Sequence, residues 1–204
     1  MAALTNIVTP RSTSALRRIT APPTFSRSRR VVRRCLRGGL AGFLATAPMS
    51  VWMLLGRRMM SWRSQEALPP AQITQELLRT IEADDNLTRS QESTLAVVNH
   101  FAYGSAMGAV YAPLMRPESA ALAIATGAAF GLAVWTVSYC GWLPVAGLYR
   151  PPHEDTAERT GLMIGAHLIW GGVTGLIVHS LDQQDERTVT ADFLEATLPR
   201  RKLS

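Results

Sequence analysis

The sequence predicts an all-α integral membrane protein in which four transmembrane helices form one bundle. The main observation is that four stretches of this 204-residue chain contain no charged residue: 38–56, 93–115, 119–149 and 160–181. A helix needs about 20 apolar residues to cross the hydrocarbon core of a bilayer. Helices in the core of a soluble protein usually keep one charged face, and these stretches have none.

The basic residues are distributed asymmetrically around these stretches, which predicts the orientation. With a cytoplasmic N-terminus, the inner segments hold 14 of the 21 Lys and Arg residues, and the outer segments hold 7. Basic residues concentrate on the cytoplasmic side of membrane proteins. We therefore expect a multi-pass protein of the bacterial inner (plasma) membrane with both termini inside, and with 57–92 and 150–159 facing outward.

Residues 1–37 hold nine arginines and no acidic residue. Such a segment cannot bury a core, so it is predicted to be a disordered cytoplasmic tail. The same composition is typical of an organellar transit peptide, which makes an organellar membrane the alternative location. The Arg29-Arg30 pair also partly resembles an export signal, but the three further spans argue against a cleaved signal. No motif indicates nucleic-acid binding.

The membrane domain is predicted to cover 38–181, followed by a polar cytoplasmic tail, 182–204. Its spans are expected at about 38–56, 94–114, 119–139 and 161–181. In the first outer loop, apolar residues recur with helical spacing between Ile73 and Ile81. This spacing predicts an amphipathic helix on the outer membrane surface.

The pattern His-x-x-aromatic-Gly-x-x-x-Gly starts at His100 and recurs 67 residues later at His167. It suggests an internal repeat of two helical hairpins, spans one and two and spans three and four. Residues four apart share one helix face, so the glycines should form grooves for close helix packing. The predicted packing glycines are Gly104, Gly108, Gly171, Gly175, Gly127 and Gly131. Packing within the bundle is the first interpretation, and an oligomer interface is the second.

The two histidines are the candidate functional residues. Ionisable residues inside a membrane are costly and usually face the interior of the bundle. His100 and His167 should therefore face protein. Because they occupy equivalent positions in the repeat, they should also lie at matching depth. Three interpretations remain open: neutral imidazoles that satisfy packing, a path for protons or solute, or ligands of a metal or haem. In the outer loop, His153-Glu154-Asp155 could bind a divalent cation, although a solvated loop has the same composition. No metal or cofactor is predicted.

Several motifs of the membrane domain also suggest a family. They are Gly127-Ala-Ala-Phe130-Gly131-Leu-Ala-Val-Trp135, Ser138, Pro144, Gly147-Leu148, His167, Trp170 and the Pro69-Pro70 pair. Together they resemble the YagU-like bacterial inner-membrane proteins over about 38–181. The resemblance implies a four-span inner-membrane protein of unassigned biochemical activity, and it supplies no catalytic residues.

No nucleophile elbow, phosphate-binding loop, zinc-protease or dinucleotide signature occurs in the sequence. We therefore expect a non-enzymatic protein, a small permease-like or accessory membrane subunit. Its expected partners are the lipid bilayer and either further copies of itself or a membrane complex, and not nucleic acid. The alternative is a bis-histidine haem or metal-binding membrane protein, with His100 and His167 as the ligands.

Overall fold

The structure, a computed structural model, describes residues 23–61, 66–82 and 87–197, which are helical and contain no β-strand. The helices are α1 (Pro23–Met59), α2 (Pro69–Thr80), α3 (Arg89–Leu114), α4 (Ala120–Val137), α5 (Leu143–Val145) and α6 (Ala157–Thr197). A π-helical turn, Ser138–Trp142, connects α4 to α5, and a 3-10 turn, Pro152–Glu154, precedes α6.

Three of the described helical segments are long and apolar enough to cross a membrane: Ser28–Met59, Ala120–Val145 and Ala157–Asp185. They contain the first, third and fourth predicted spans. The second predicted span, 94–114, lies on α3, which is not among the three. The reason is chemical, because α3 carries polar side chains such as Asn99, His100 and Ser105 in the middle of its apolar stretch.

The helices pack as two antiparallel pairs, α1 with α3 and α4 with α6. α1 and α6 also pack against each other and hold the two pairs together. By contrast, α3 and α4 contact each other only slightly, although a short turn joins them. The order across the bundle is therefore α3, α1, α6, α4, with a loosely closed seam between α3 and α4.

The segment predicted to be a disordered tail overlaps α1, which begins at Pro23; residues 1–22 lie outside the described residues. Arg34 donates to the carbonyl oxygens of Ala112 (2.9 Å) and Met115 (2.9 Å) at the end of α3 and to Asp182 on α6 (2.8 Å). The last carbonyls of a helix have no intrahelical partner, so these bonds satisfy them. The basic residues thus fasten three helices at one end.

The outward faces of the bundle are apolar. Large hydrophobic side chains such as Leu44 and Val51 on α1, Val97 on α3 and Leu122 on α4 are exposed. The buried core between α1, α4 and α6 contains Met49, Val134 and Trp170 among others. Extended exposed apolar surface marks contact with a membrane or a partner, which agrees with the three apolar helical segments.

Candidate functional site

A cavity of about 310 Å³ lies inside the bundle. It is bounded by α1, α3, α4 and α6, and α2 and the segment after the π-helical turn cover one end. Its lining consists of Thr46, Met49, Met53, Pro70, Ile73, Thr74, Leu77, Asn99, His100, Tyr103, Gly104, Met107, Val134, Ser138, Tyr139, Trp142, Leu143, Leu148, His167 and Trp170. The wall is mainly apolar, with a few polar groups, and both candidate histidines belong to it.

His167 lies on the buried side of this cavity. Its Nδ1 is 2.8 Å from the carbonyl oxygen of Met163, one turn earlier on α6. Because a carbonyl only accepts hydrogen bonds, Nδ1 carries the proton, and Nε2 of the neutral ring keeps a lone pair. The Tyr139 ring packs edge-on at 5.9 Å between centroids. His167 thus presents a hydrogen-bond acceptor in apolar surroundings.

His100 has a different environment. Its Nε2 is buried, and no hydrogen-bond partner for that atom occurs in the described part of the chain. The ring packs at right angles to Phe101 at 6.2 Å between centroids. An unsatisfied buried polar atom is costly, so a water or a bound molecule that bonds to this nitrogen would stabilise the site. The other histidines, His153 and His179, lie outside the cavity lining.

The predicted packing glycines lie at close helix contacts, and the two pairs share one register. A Cβ added to Gly104 would overlap the Thr46 hydroxyl, and one added to Gly108 would overlap the Gly38 carbonyl. In the second pair, a Cβ on Gly171 would overlap the Gly127 carbonyl, and one on Gly175 would overlap the Ala123 carbonyl.

Gly127 and Gly131 meet the backbone of α6 in the same way, at Gly171 and His167. The glycines thus bring backbones together and fix the depth of both histidines. The described contacts are within the bundle.

On the side of the cavity formed by α2, α3 and the segment after α4, hydrogen bonds join these elements to each other. Tyr103 Oη on α3 and Ser138 Oγ after α4 are 2.9 Å apart, and Asn99 donates to Thr74 on α2 at 3.4 Å. The Tyr103 and Trp142 rings are 6.4 Å apart between centroids. The Tyr103–Ser138 and Tyr103–Trp142 contacts cross the seam beside the cavity, whereas Asn99–Thr74 joins α3 to α2.

An ion pair fastens the loops that cover the cavity. Arg159 and Asp155 are almost fully buried, with an N–O distance of 3.1 Å. Tyr149 donates to Asp155 at 2.8 Å, and Arg159 donates to Tyr149 and to the Ala67 carbonyl, each at 3.1 Å. Burial raises the pKa of the Tyr149 hydroxyl above its ordinary value.

At the suggested cation site, His153-Glu154-Asp155, the Asp155 carboxylate is therefore already part of an ion pair. Arg159 pairs with the Asp155 carboxylate and neutralises its charge. In the described ranges, no group of three or more His, Cys, Asp or Glu residues is arranged to hold a metal ion.

Sequence reasoning identified both histidines but missed the residues opposite them, such as Tyr103, Ser138 and Thr74. Tyr103 is the aromatic residue of the repeated pattern and Ser138 belongs to the family motifs, but neither feature indicates that the two side chains meet. Whether such groups meet depends on how α2 and α3 approach the π-helical turn, which spacing does not encode. No family model, curated protein or solved structure matches this chain.

Proposed function

We propose that this chain is a non-enzymatic protein of the bacterial inner membrane that holds a small, mostly apolar molecule inside a four-span bundle. The observation behind this proposal is the cavity of about 310 Å³ with both histidines in its wall. Mainly apolar cavities with a few placed polar groups are the usual form of small-molecule sites. The role that follows is that of a small permease-like or accessory subunit.

The cavity volume limits the size of the occupant. An apolar cavity of about 150 Å³ in another protein binds one benzene molecule. A cavity of about 310 Å³ therefore suits a molecule roughly twice that size. The imidazoles and hydroxyls in the wall favour a neutral molecule with one hydrogen-bonding group, because burying an unpaired charge is strongly unfavourable.

The four-span arrangement is supported by the two faces of α3. Val97, Val98 and Val110 are exposed on its outer side, whereas Gly104 and Gly108 pack against α1. A helix whose polar groups face protein can cross a bilayer despite modest overall hydropathy. Because α3 runs antiparallel to α1, and α6 antiparallel to α4, the start of α1 and the end of α6 lie at the same end of the bundle. The basic asymmetry supports a cytoplasmic location for that end, or the equivalent compartment of an organelle.

A permease-like role implies assembly with a second copy or another membrane subunit. In the described residues, the four helices line this small cavity, and transport needs a path that opens to both sides. The exposed apolar faces of α1 and α4 offer surface for such an assembly as well as for lipid.

Bis-histidine metal binding is the second candidate. It is favoured by the lone pair on His167 Nε2 and the unpartnered His100 Nε2 in one cavity wall. A haem, with four pyrrole rings, is far larger than the two benzene equivalents that the cavity suits. A metal absorption band in the purified protein that either His→Gln variant removes would support this candidate.

Saturable quenching of tryptophan fluorescence by bromooctanol tests the first proposal, because Trp170 lines the cavity. Val134 also lines it and is 8% exposed, so Val134→Phe should occupy part of the space and weaken saturable quenching. Val137 is 64% exposed on the same helix, so Val137→Phe is the matched control and should quench like the parent. Equal quenching in both variants would refute a site in this cavity.

A further inference from the structure

The cavity has a buried side and an open side. Its lining residues on α1 and α6, such as Met53 and Trp170, are buried, whereas Leu77, Tyr103 and Trp142 are each more than a third exposed. These three come from α2, α3 and the π-helical turn. The open side therefore coincides with the seam between α3 and α4.

That seam is closed by side chains and not by helix packing. α3 and α4 pack mainly against α1 and α6, respectively, and only slightly against each other. Near their connecting turn, Tyr111 and Thr126 hydroxyls are 3.1 Å apart. Beside the cavity, the Tyr103–Ser138 hydrogen bond of 2.9 Å is the corresponding bridge. Two aromatic side chains, Tyr103 and Trp142, thus form a thin wall between the cavity and the outside of the bundle.

The seam faces the hydrocarbon in the four-span arrangement. Tyr103 is near the centre of the uncharged stretch 93–115. It lies about 16 Å along the helix from Glu92, the nearest preceding acidic residue. The hydrocarbon core is about 30 Å thick, so this position lies within it. The exposed Val98 and Val110 on the same helix agree with a lipid environment.

The end of the cavity under α2 is held more firmly. The segment before α2 receives a hydrogen bond from Arg159 at the Ala67 carbonyl (3.1 Å), and Glu66 pairs with Arg150. Arg159 is itself paired with the buried Asp155. Removing one partner of a buried ion pair is strongly destabilising, so this cover should open less readily than a seam closed by one neutral hydrogen bond.

We propose that the occupant is a membrane-dissolved neutral alcohol or phenol that enters through a lateral portal between α3 and α4, with the Tyr103–Ser138 hydrogen bond as its latch. This inference rests on the proposed function, which supplies the four-span arrangement and the occupied cavity. Inside, the hydroxyl of the occupant donates to Nε2 of His167, and its apolar part lies against Met107 and Val134.

The rate of bromooctanol entry tests the latch. The full-length protein in phosphatidylcholine vesicles is mixed by stopped flow with vesicles that carry bromooctanol, and the component of quenching that Val134→Phe reduces is taken as specific. Tyr103→Phe keeps the ring and removes the latch. Its association and dissociation should be about fivefold faster at unchanged Kd, as expected for the loss of one ordinary hydrogen bond. Tyr111→Phe is the matched control and should keep the parent rate. If Tyr103→Phe binds and releases bromooctanol at the rates of the parent protein, the Tyr103–Ser138 bond is not a latch.

A cross-linking pair tests the route independently of that variant. In a Cys35→Ser, Cys140→Ser background, Tyr103→Cys with Ser138→Cys is bridged by a short bis-methanethiosulfonate linker. The same linker bridges Glu66→Cys with Arg150→Cys at the covered end. Bridging the seam should slow entry about tenfold or more, reversibly with reductant, and bridging the cover should not.

If bromooctanol entry is slowed only by the bridge across the cover, the lateral portal is overturned, whereas binding in the cavity stands. A parent protein without saturable quenching would refute the proposed function itself, and the two failures are thereby distinguished.

Discussion

Gly171 and Gly161 lie on the same helix, α6, in opposite surroundings. A Cβ on Gly171 would overlap the Gly127 carbonyl, whereas no heavy atom of the described neighbours lies within 4 Å of a Cβ on Gly161. Gly171→Ala should therefore lower the free energy of unfolding by about 1–3 kcal/mol through overpacking. Gly161→Ala should leave it unchanged or raise it by about 0.4–1 kcal/mol. Thermal or denaturant unfolding in detergent measures both, and equal stabilities would place Gly171 outside the contact.

Gly104 offers the corresponding change on α3. Gly104→Leu should destabilise the protein by at least as much as Gly171→Ala, because the larger side chain meets Thr46 and the α1 backbone.

His100→Leu separates a packing role from a ligand role. Replacing an unsatisfied buried nitrogen by an apolar side chain of similar shape should leave the melting temperature unchanged or raise it. Bromooctanol binding should weaken, because the cavity wall loses one of its polar groups. A much lower melting temperature would mean that Nε2 has an essential partner, such as a bound water. His100→Gln, which keeps a polar group, serves as the comparison.

The sequence predicted that His100 and His167 face the interior of the bundle, but not which contacts each ring makes. The repeat indicated matching faces and depths for His100 and His167, and both lie in one cavity wall. It could not indicate that one ring bonds to a carbonyl of its own helix while the other has an unpartnered nitrogen. These details depend on rotamers and on neighbours supplied by α1 and α2, which the local pattern does not contain.

At the scale of the helices, Arg34 of α1 holds the end of α3 in place. Its side chain is 11% exposed, and it bonds to two α3 carbonyls and to Asp182. Arg34→Gln should lower the free energy of unfolding by about 1–3 kcal/mol, because buried acceptors lose their donor. Arg33 is the matched control: it is 60% exposed, and Arg33→Gln should cost less than about 1 kcal/mol. Unfolding in detergent at fixed salt measures both, and equal losses would exclude the capping role.

The charge-free stretches predicted where the helices lie in the sequence, but they did not predict how long the helices are. The charge-free stretch begins at Gly38, but α1 begins at Pro23, because its arginines meet acidic residues on α6 that are distant in sequence. The predicted polar tail is likewise helical to Thr197, where the described part of the chain ends. Composition identifies the apolar part of a helix. The polar extension of α1 and α6 is stabilised by ion pairs between the two helices, which composition does not show.

At the scale of the whole molecule, the two helix pairs repeat one contact register. Gly104 meets α1 beside Gly42, and Gly171 meets α4 beside Gly127. Two equivalent pairs should produce two equivalent seams, yet α1 and α6 are bonded closely, as between Trp170 and the Gly42 carbonyl at 3.1 Å. The other seam is closed by side chains instead of close helix packing, and the cavity lies beside it. The sequence suggested the repeat but could not predict this asymmetry, because it arises between pairs and not within them.

Labelling from the two sides of the membrane tests whether α3 crosses it. Gln75, Glu118 and His153 are exposed, so each can be replaced by a single cysteine in the Cys35→Ser, Cys140→Ser background. With four spans, Gln75 and His153 lie outside, and Glu118 lies inside in the turn between α3 and α4. A membrane-impermeant maleimide added to intact cells should label the first two positions and not the third, which should react only after lysis.

A three-span arrangement predicts the opposite result for Glu118. If α3 stayed outside, Glu118 would remain on the same side as Gln75, and α4 would cross inward. α6 would then cross outward, parallel to α1. The fold requires the reverse, because α1 and α6 run antiparallel, with Arg37 paired to Asp185 at one end and Trp52 bonded to the Leu162 carbonyl (3.2 Å) at the other. Labelling of Glu118 from outside would thus overturn the four-span proposal together with the packing of α1 on α6.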